Sequence, residues 1–168
     1  MNFIRLFDRT ISFFLNTFVG GNIGKDIILF GAQYLIFIFV ILAIFLFIKK
    51  ASKSVITVIL ALLISLTMAW AIGHFYQRPR PYITYPQIIN HLLVVGTPSF
   101  PSGHTISSFA MSFAILFSGF PVLGLIALAI SLFIGLSRIA AGVHYPTDVI
   151  GGIIFGLIAA WIAKRIIK

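Results

Sequence analysis

The chain has 168 residues, 60% of them hydrophobic and 9% charged, with a mean hydropathy of +1.13; soluble domains carry about 25% charge, so water is excluded as its main solvent. The net charge of +9 does not point to nucleic acid, because Lys49, Lys50, Lys53, Lys164, Arg165 and Lys168 flank apolar runs as cytoplasmic anchors do. The acids are Asp8, Asp26 and Asp148 alone and cysteine is absent, which excludes disulfide frameworks, thiolate metal sites, two-metal carboxylate centres and paired-carboxylate catalysis.

In chain order, residues 3 to 18 set Phe3, Phe7, Ile11, Phe14, Leu15 and Phe18 against Arg5, Asp8, Arg9, Ser12 and Asn16. That two-faced helical pattern predicts an interfacial helix within an N-terminal segment, residues 1–26. No charged leader with a small-residue cleavage site is visible, so no removable signal peptide is expected. After Gly20, Gly21 and Gly24, the run from Ile27 to Ile48 is long and apolar enough to span a bilayer. Val55 to about Phe75 is a second span, stopped by Gln77-Arg78-Pro79-Arg80-Pro81, where proline removes helix donors. Residues 83 to 100 form a mixed loop, a candidate for substrate selectivity. Three further helices follow, broadly Thr105 to Phe117, Val122 to Leu136 and Val149 to Ile166.

The expectation is one all-helical membrane domain over residues 1–168, a bundle (27–168) of five transmembrane helices plus the interfacial helix. Placing both basic clusters in the cytoplasm fits five spans. The same count brings three polar segments together on the non-cytoplasmic side.

Those segments are Arg78 to Pro81, Pro101-Ser102-Gly103-His104, and Ser137-Arg138 followed by His144 and Asp148. Arginine presents a planar fork of donors that matches phosphate oxygens, which suits Arg80 and Arg138 to neutralise a phosphoryl group. Pro101-Ser102-Gly103-His104 reads as a helix start, with Ser102 capping free amides that bind anions and Gly103 admitting close backbone approach. His104 is placed to protonate a leaving oxygen. His144 and Asp148, four residues apart, let a carboxylate fix one ring nitrogen and leave the other free to attack phosphorus. His74 and His91 read as interfacial or loop residues.

With Pro101 to His104 and Ser137, Arg138, His144 and Asp148 in place, the chain resembles the phosphatidic acid phosphatase type 2 superfamily, whose signature is KxxxxxxRP, PSGH and SRxxxxxHxxxD. The resemblance covers residues 78 to 148 and implies His144 as nucleophile, Asp148 as its partner, His104 as acid, Arg80, Ser102, Gly103 and Arg138 as phosphate ligands, and no metal or cofactor. One departure is that the signature lysine would fall at Gly73 or Ala71. Arg78, His74 or Gln77 are the candidates to replace it. The Arg-Pro-Arg-Pro-Tyr stretch is similar to bacterial undecaprenyl diphosphate phosphatases, which makes that lipid the leading substrate. Phosphatidylglycerol phosphate, phosphatidic acid and lipid A remain open, as do a lipid-diphosphate phosphotransferase and a non-catalytic lipid-phosphate binder. The partners expected are the bilayer and a lipid phosphate or diphosphate, with no obligatory protein partner and the bacterial cytoplasmic membrane as location.

Overall fold

A computed structural model describes residues 3–96 and 98–167; Lys168, one of the expected anchors, lies outside them. The described residues form helices and connecting turns: α1 (Phe3–Asn16), α2 (Asn22–Ile48), α3 (Ser52–Phe75), the one-turn α4 (Pro81–Thr84), α5 (Gly103–Phe117), α6 (Pro121–Ala140) and α7 (Pro146–Ile166). Four of these, α2, α3, α6 and α7, are long and apolar enough to cross a membrane, and α5 is a shorter apolar helix of 15 residues. A π turn at Phe30–Tyr34 and a 3-10 turn at Leu35–Phe37 interrupt α2.

The helices extend past the ends that apolar runs alone suggest, and the extensions carry chemistry. Pro121 and Pro146 occupy the first turns of α6 and α7, where a missing N–H costs nothing and the fixed φ suits a helix. Arg138 lies in the last turn of α6, Asp148 in the first turn of α7, and Gly103 and His104 open α5.

Helix α5 is the most enclosed, burying ten residues from Thr105 to Ile115. Lipid supplies no hydrophobic drive between helices, so close van der Waals packing and small residues must hold them together. Gly152 and Gly156, spaced as in a small-xxx-small motif, meet this need on α7. A methyl group added at Gly156 would come within 2.9 Å of the Ile106 carbonyl oxygen, and one at Gly152 within 2.9 Å of Thr105 Cβ. Buried Ala110, Ala114, Ala159, Ala160 and Ala163 continue the tight seam. Ser112 and Ser131 join α5 to α6 by a buried hydrogen bond of 2.9 Å.

The N-terminal helix departs from the usual interfacial pattern. Its buried face is polar, made of Asp8, Ser12 and Asn16, while Phe3, Ile4, Leu6 and Phe14 are exposed. Asp8 and Asn16 of this stripe find partners inside the protein, while Ser12 Oγ is buried with no hydrogen bond among the described residues. Asn16 Nδ2 donates to the carbonyls of Asn90 (2.7 Å) and Ala140 (2.8 Å), and its Oδ1 accepts from Asn90 N–H at 2.8 Å. The apolar side is left to face lipid.

Candidate active site

The end of α6 and the start of α7 are set by a turn at Gly142, whose φ of 76° is the left-handed conformation that favours glycine. A Cβ there would also strike Ile89 Cγ2 at 2.6 Å. Val143 N–H bonds back to the Arg138 carbonyl at 3.3 Å, folding His144 beneath Arg138. Tyr145 then enters α7 in extended conformation, and Asp148 Oδ2 accepts its N–H at 2.8 Å. From the other segments, Ser99 N–H reaches the Arg78 carbonyl at 2.9 Å and Ser102 N–H the Asp148 carbonyl at 3.2 Å. The three polar segments therefore meet at one end of the bundle.

His144 is at their centre and buried. Its Nδ1 lies 2.7 Å from the Ser99 carbonyl oxygen, while its Nε2 faces Arg80 Nη1 at 3.1 Å and Arg138 Nη2 at 3.4 Å. A carbonyl can only accept and a guanidinium can only donate, so the neutral ring carries its proton on Nδ1 and turns the Nε2 lone pair to the arginines. Burial pushes the pKa of His144 down to about 4, with Arg138 and Arg80 adding to the effect and Asp148 opposing it. The ring is neutral at neutral pH, with the Nε2 lone pair facing the arginine donors.

The expected direct partnership of His144 and Asp148 takes a different form. Asp148 Oδ2 is 3.6 Å from Nδ1, beyond hydrogen-bond length, and the bond goes to Ser99 instead. The cause is that Asp148 is already engaged by Tyr145 N–H on one oxygen and by Arg78 Nη1 (2.5 Å) on the other. Its contribution to the ring is an adjacent negative charge.

Arg80 and Arg138 differ in how they are held. Arg80 donates to the carbonyls of Gly96 (2.6 Å), Val143 (2.8 Å) and Pro98 (2.9 Å), so it also ties down the 83–100 loop. Arg138 donates to the Ala32 carbonyl at 2.9 Å, within the π turn of α2. Its Nε is buried with no acceptor among the described residues, a donor suited to an anionic oxygen. Ser102 is buried, but its side chain does not cap α5; it accepts a hydrogen bond from Thr105 Oγ1 at 2.9 Å. Gly103 is exposed, with open space where a Cβ would stand, and half-buried His104 is within electrostatic reach of Arg138 and His144.

None of the three candidates for the missing lysine stands in for it as a free donor. His74 is exposed and stacks on Trp70, and Gln77 caps α3 by donating to the Gly73 carbonyl at 2.7 Å. Arg78 is claimed by Asp8 (2.6 Å) and Asp148 (2.5 Å) and lies 4.0 Å above the Tyr145 ring. Burial alone would lower its pKa, but Asp148 and Asp8 outweigh that and raise it. The Gly73 position has no room for a side chain, since a Cβ would lie 2.7 Å from Pro98 Cγ.

Two parts of the site had not been expected. The Ser99 carbonyl acts through the backbone, which any residue type provides, so no sequence signal marks it. Asp8 did leave a signal, being one of three acids in an apolar chain and lying on a helix with a strong apolar face. A cavity of about 880 Å³ opens beside the site, walled by Ile4, Arg5, Arg78, Phe100, Tyr145 and Thr147 among others. His144 does not line it. Among the described residues, no three His, Cys, Asp or Glu side chains gather as a metal site would require.

Comparison with known proteins gives concordant findings. The sequence profile of the PAP2 superfamily matches residues 54–168. The undecaprenyl-diphosphatase BcrC of Bacillus subtilis is 33% identical over 149 residues, covering 86% of this chain and 75% of the relative. The bacitracin transport permease protein BcrC of Bacillus licheniformis is 26% identical over 158 residues, covering 86% and 77%. The crystal structure of Aquifex aeolicus LpxE superposes with a TM-score of 0.71 at 28% identity, covering 96% of this chain and 92% of that one.

Proposed function

Because the chain belongs to the PAP2 superfamily and is an integral-membrane lipid phosphatase, we propose that it removes the terminal phosphate of undecaprenyl diphosphate through a phosphohistidine on His144. The observation that carries this reading is the convergence of Arg80 and Arg138 on His144 Nε2, with Nδ1 occupied by Ser99. A phosphoryl group entering there takes the guanidinium donors from Nε2 and leaves its lone pair facing phosphorus. Arg138 Nε adds an unspent donor, and the open backbone at Gly103 admits a phosphate oxygen closely.

In the first step the Nε2–P bond forms as the bond from phosphorus to the bridging oxygen breaks, and His104, which takes up a proton once the anionic diphosphate lies beside it, gives that proton to the departing lipid phosphate. The imidazole ring becomes cationic and is stabilised by Asp148, 3.6 Å away, and by the Ser99 carbonyl. In the second step water attacks phosphorus, His104 takes up its proton, the P–N bond breaks and inorganic phosphate leaves. The chosen lipid rests on the 33% identity to a protein named as an undecaprenyl-diphosphatase. The site end of the bundle faces away from the cytoplasm, supported by the basic residues at the opposite end.

The test is phosphate release in detergent, with chelator present, from undecaprenyl diphosphate, phosphatidic acid and phosphatidylglycerol phosphate, run beside His144→Ala. Wild type should be fastest on undecaprenyl diphosphate, and the variant should lose at least about 10³-fold in kcat, as removal of a covalent nucleophile does. A faster rate on another lipid would reassign the substrate. Equal rates for variant and wild type would remove His144 as nucleophile.

A further inference from the structure

A buried carboxylate in an apolar chain is costly unless it is paired and hydrogen-bonded. Asp8 is 2% exposed, and every contact it makes leads toward α7. Its Oδ1 accepts the Thr147 N–H at 3.0 Å, one of the free amides of the first turn of α7, and its Oδ2 accepts the Thr147 hydroxyl at 2.7 Å. Oδ2 also accepts from Arg78 Nη2 at 2.6 Å. Arg78 spends its other terminal nitrogen on Thr147 Oγ1 (2.7 Å) and Asp148 Oδ1 (2.5 Å). The result is a continuous chain from Asp8 through Arg78 to Asp148, joining α1 to the start of α7.

We infer that Asp8 and Arg78 are positioning residues that hold the Asp148 carboxylate ionised and fixed beside His144, which makes the N-terminal helix a working part of the active site. The inference rests on the phosphohistidine reading, since the charge that Asp148 stabilises is the one the His144 ring gains on phosphorylation. Neither Asp8 nor Arg78 has a hydrogen bond to His144, so both act through Asp148. With Arg78 on Oδ1 and Tyr145 N–H on Oδ2, the carboxylate has no freedom to turn away. Without Asp8, Arg78 loses its second anchor and α7 the acceptor for its Thr147 amide. In this arrangement the donors of Arg78 face two carboxylates and not the space beside His144 Nε2.

The experiment is a double-substitution cycle on the full-length protein in detergent, following hydrolysis of the best lipid substrate and the thermal unfolding midpoint. Asp8→Asn should lower kcat about 10-fold, in the range seen when a supporting partner of a reactive ligand is removed, with KM within about twofold. In an Asp148→Asn background the same change should alter kcat by less than about twofold, because its route of action is gone. A loss of equal size in both backgrounds, or an active Asp8→Asn with wild-type kcat, would overturn the inference while leaving the phosphatase reading intact. A wild type inert on every lipid phosphate would overturn both. If Asp8→Asn does not fold, Thr147→Val removes only the bridging hydroxyl and is judged by the same loss of kcat and the same cancellation.

Discussion

Among the described residues His144 Nδ1 has one hydrogen-bond acceptor, the Ser99 carbonyl at 2.7 Å, and this bond leaves Nε2 as the ring nitrogen turned to the arginines. Burial pushes its pKa down to about 4, against an ordinary value of about 6.5. Because the folded-state pKa is lowered, the ring is neutral above about pH 4 in the protein, whereas an unfolded chain would bind a proton below about 6.5. In spectra of the ¹⁵N-histidine-labelled protein, His144 should remain a neutral Nδ1–H tautomer from pH 7 down to pH 5. Protonation midway at 6.5 would contradict the packing described. Arg138, His144 and Asp148 were legible as candidates because they are side chains at a fixed spacing, and the fold brings them together. What Nδ1 bonds to was not, because a backbone carbonyl leaves no trace in residue identity. The missing lysine is likewise explained only in three dimensions, by Pro98 filling the space beside Gly73.

The long helices were read from apolar runs, which set their order but neither their ends nor the one-turn α4. Pro146 begins α7 instead of preceding it, which puts Asp148 in its first turn, and α6 runs on past Leu136 to take in Arg138. The inward polar face of α1 was also hidden, since amphipathicity shows that two faces exist and not which one meets the protein. The close α5–α7 packing at Gly152 and Gly156 was not read from the sequence either, since what a glycine packs against appears only in the fold. Gly156→Leu would press a side chain against the Ile106 carbonyl oxygen and Phe109 Cβ, both at 2.9 Å from the added Cβ. Fixed backbone on one side leaves little room to adjust, and overpacking of this kind costs about 1–3 kcal/mol or more. The unfolding midpoint in detergent should fall and activity with it, while Ile154→Leu, on an exposed position of the same helix, should leave both unchanged.

Across the whole molecule, the chain alternates direction from α2 to α7, so α3 and α6 end, and α5 and α7 begin, at the site. The loop with Lys49, Lys50 and Lys53 lies at the other end with Lys164 and Arg165, which supports a cytoplasmic placement of that end. The chain has no cysteine, so single cysteines can report the orientation. Val94→Cys, 84% exposed beside the site, should react with an impermeant maleimide on intact cells, and Ser52→Cys only after the membrane is opened. The reverse labelling would place the catalytic face in the cytoplasm. Helix α5 introduces a further dependence. Its 15 residues rise about 22 Å, against a hydrocarbon core of about 30 Å. Because α3, α6 and α7 enclose it and are themselves long enough to cross, the shortfall is met by protein and not by lipid. Reconstituted in vesicles of increasing lipid chain length, the enzyme should keep its rate on one and the same substrate up to the reach of those longer helices, so that they act as a collar for the short one; a rate falling steadily from the shortest lipid onward would show that lipid reaches α5.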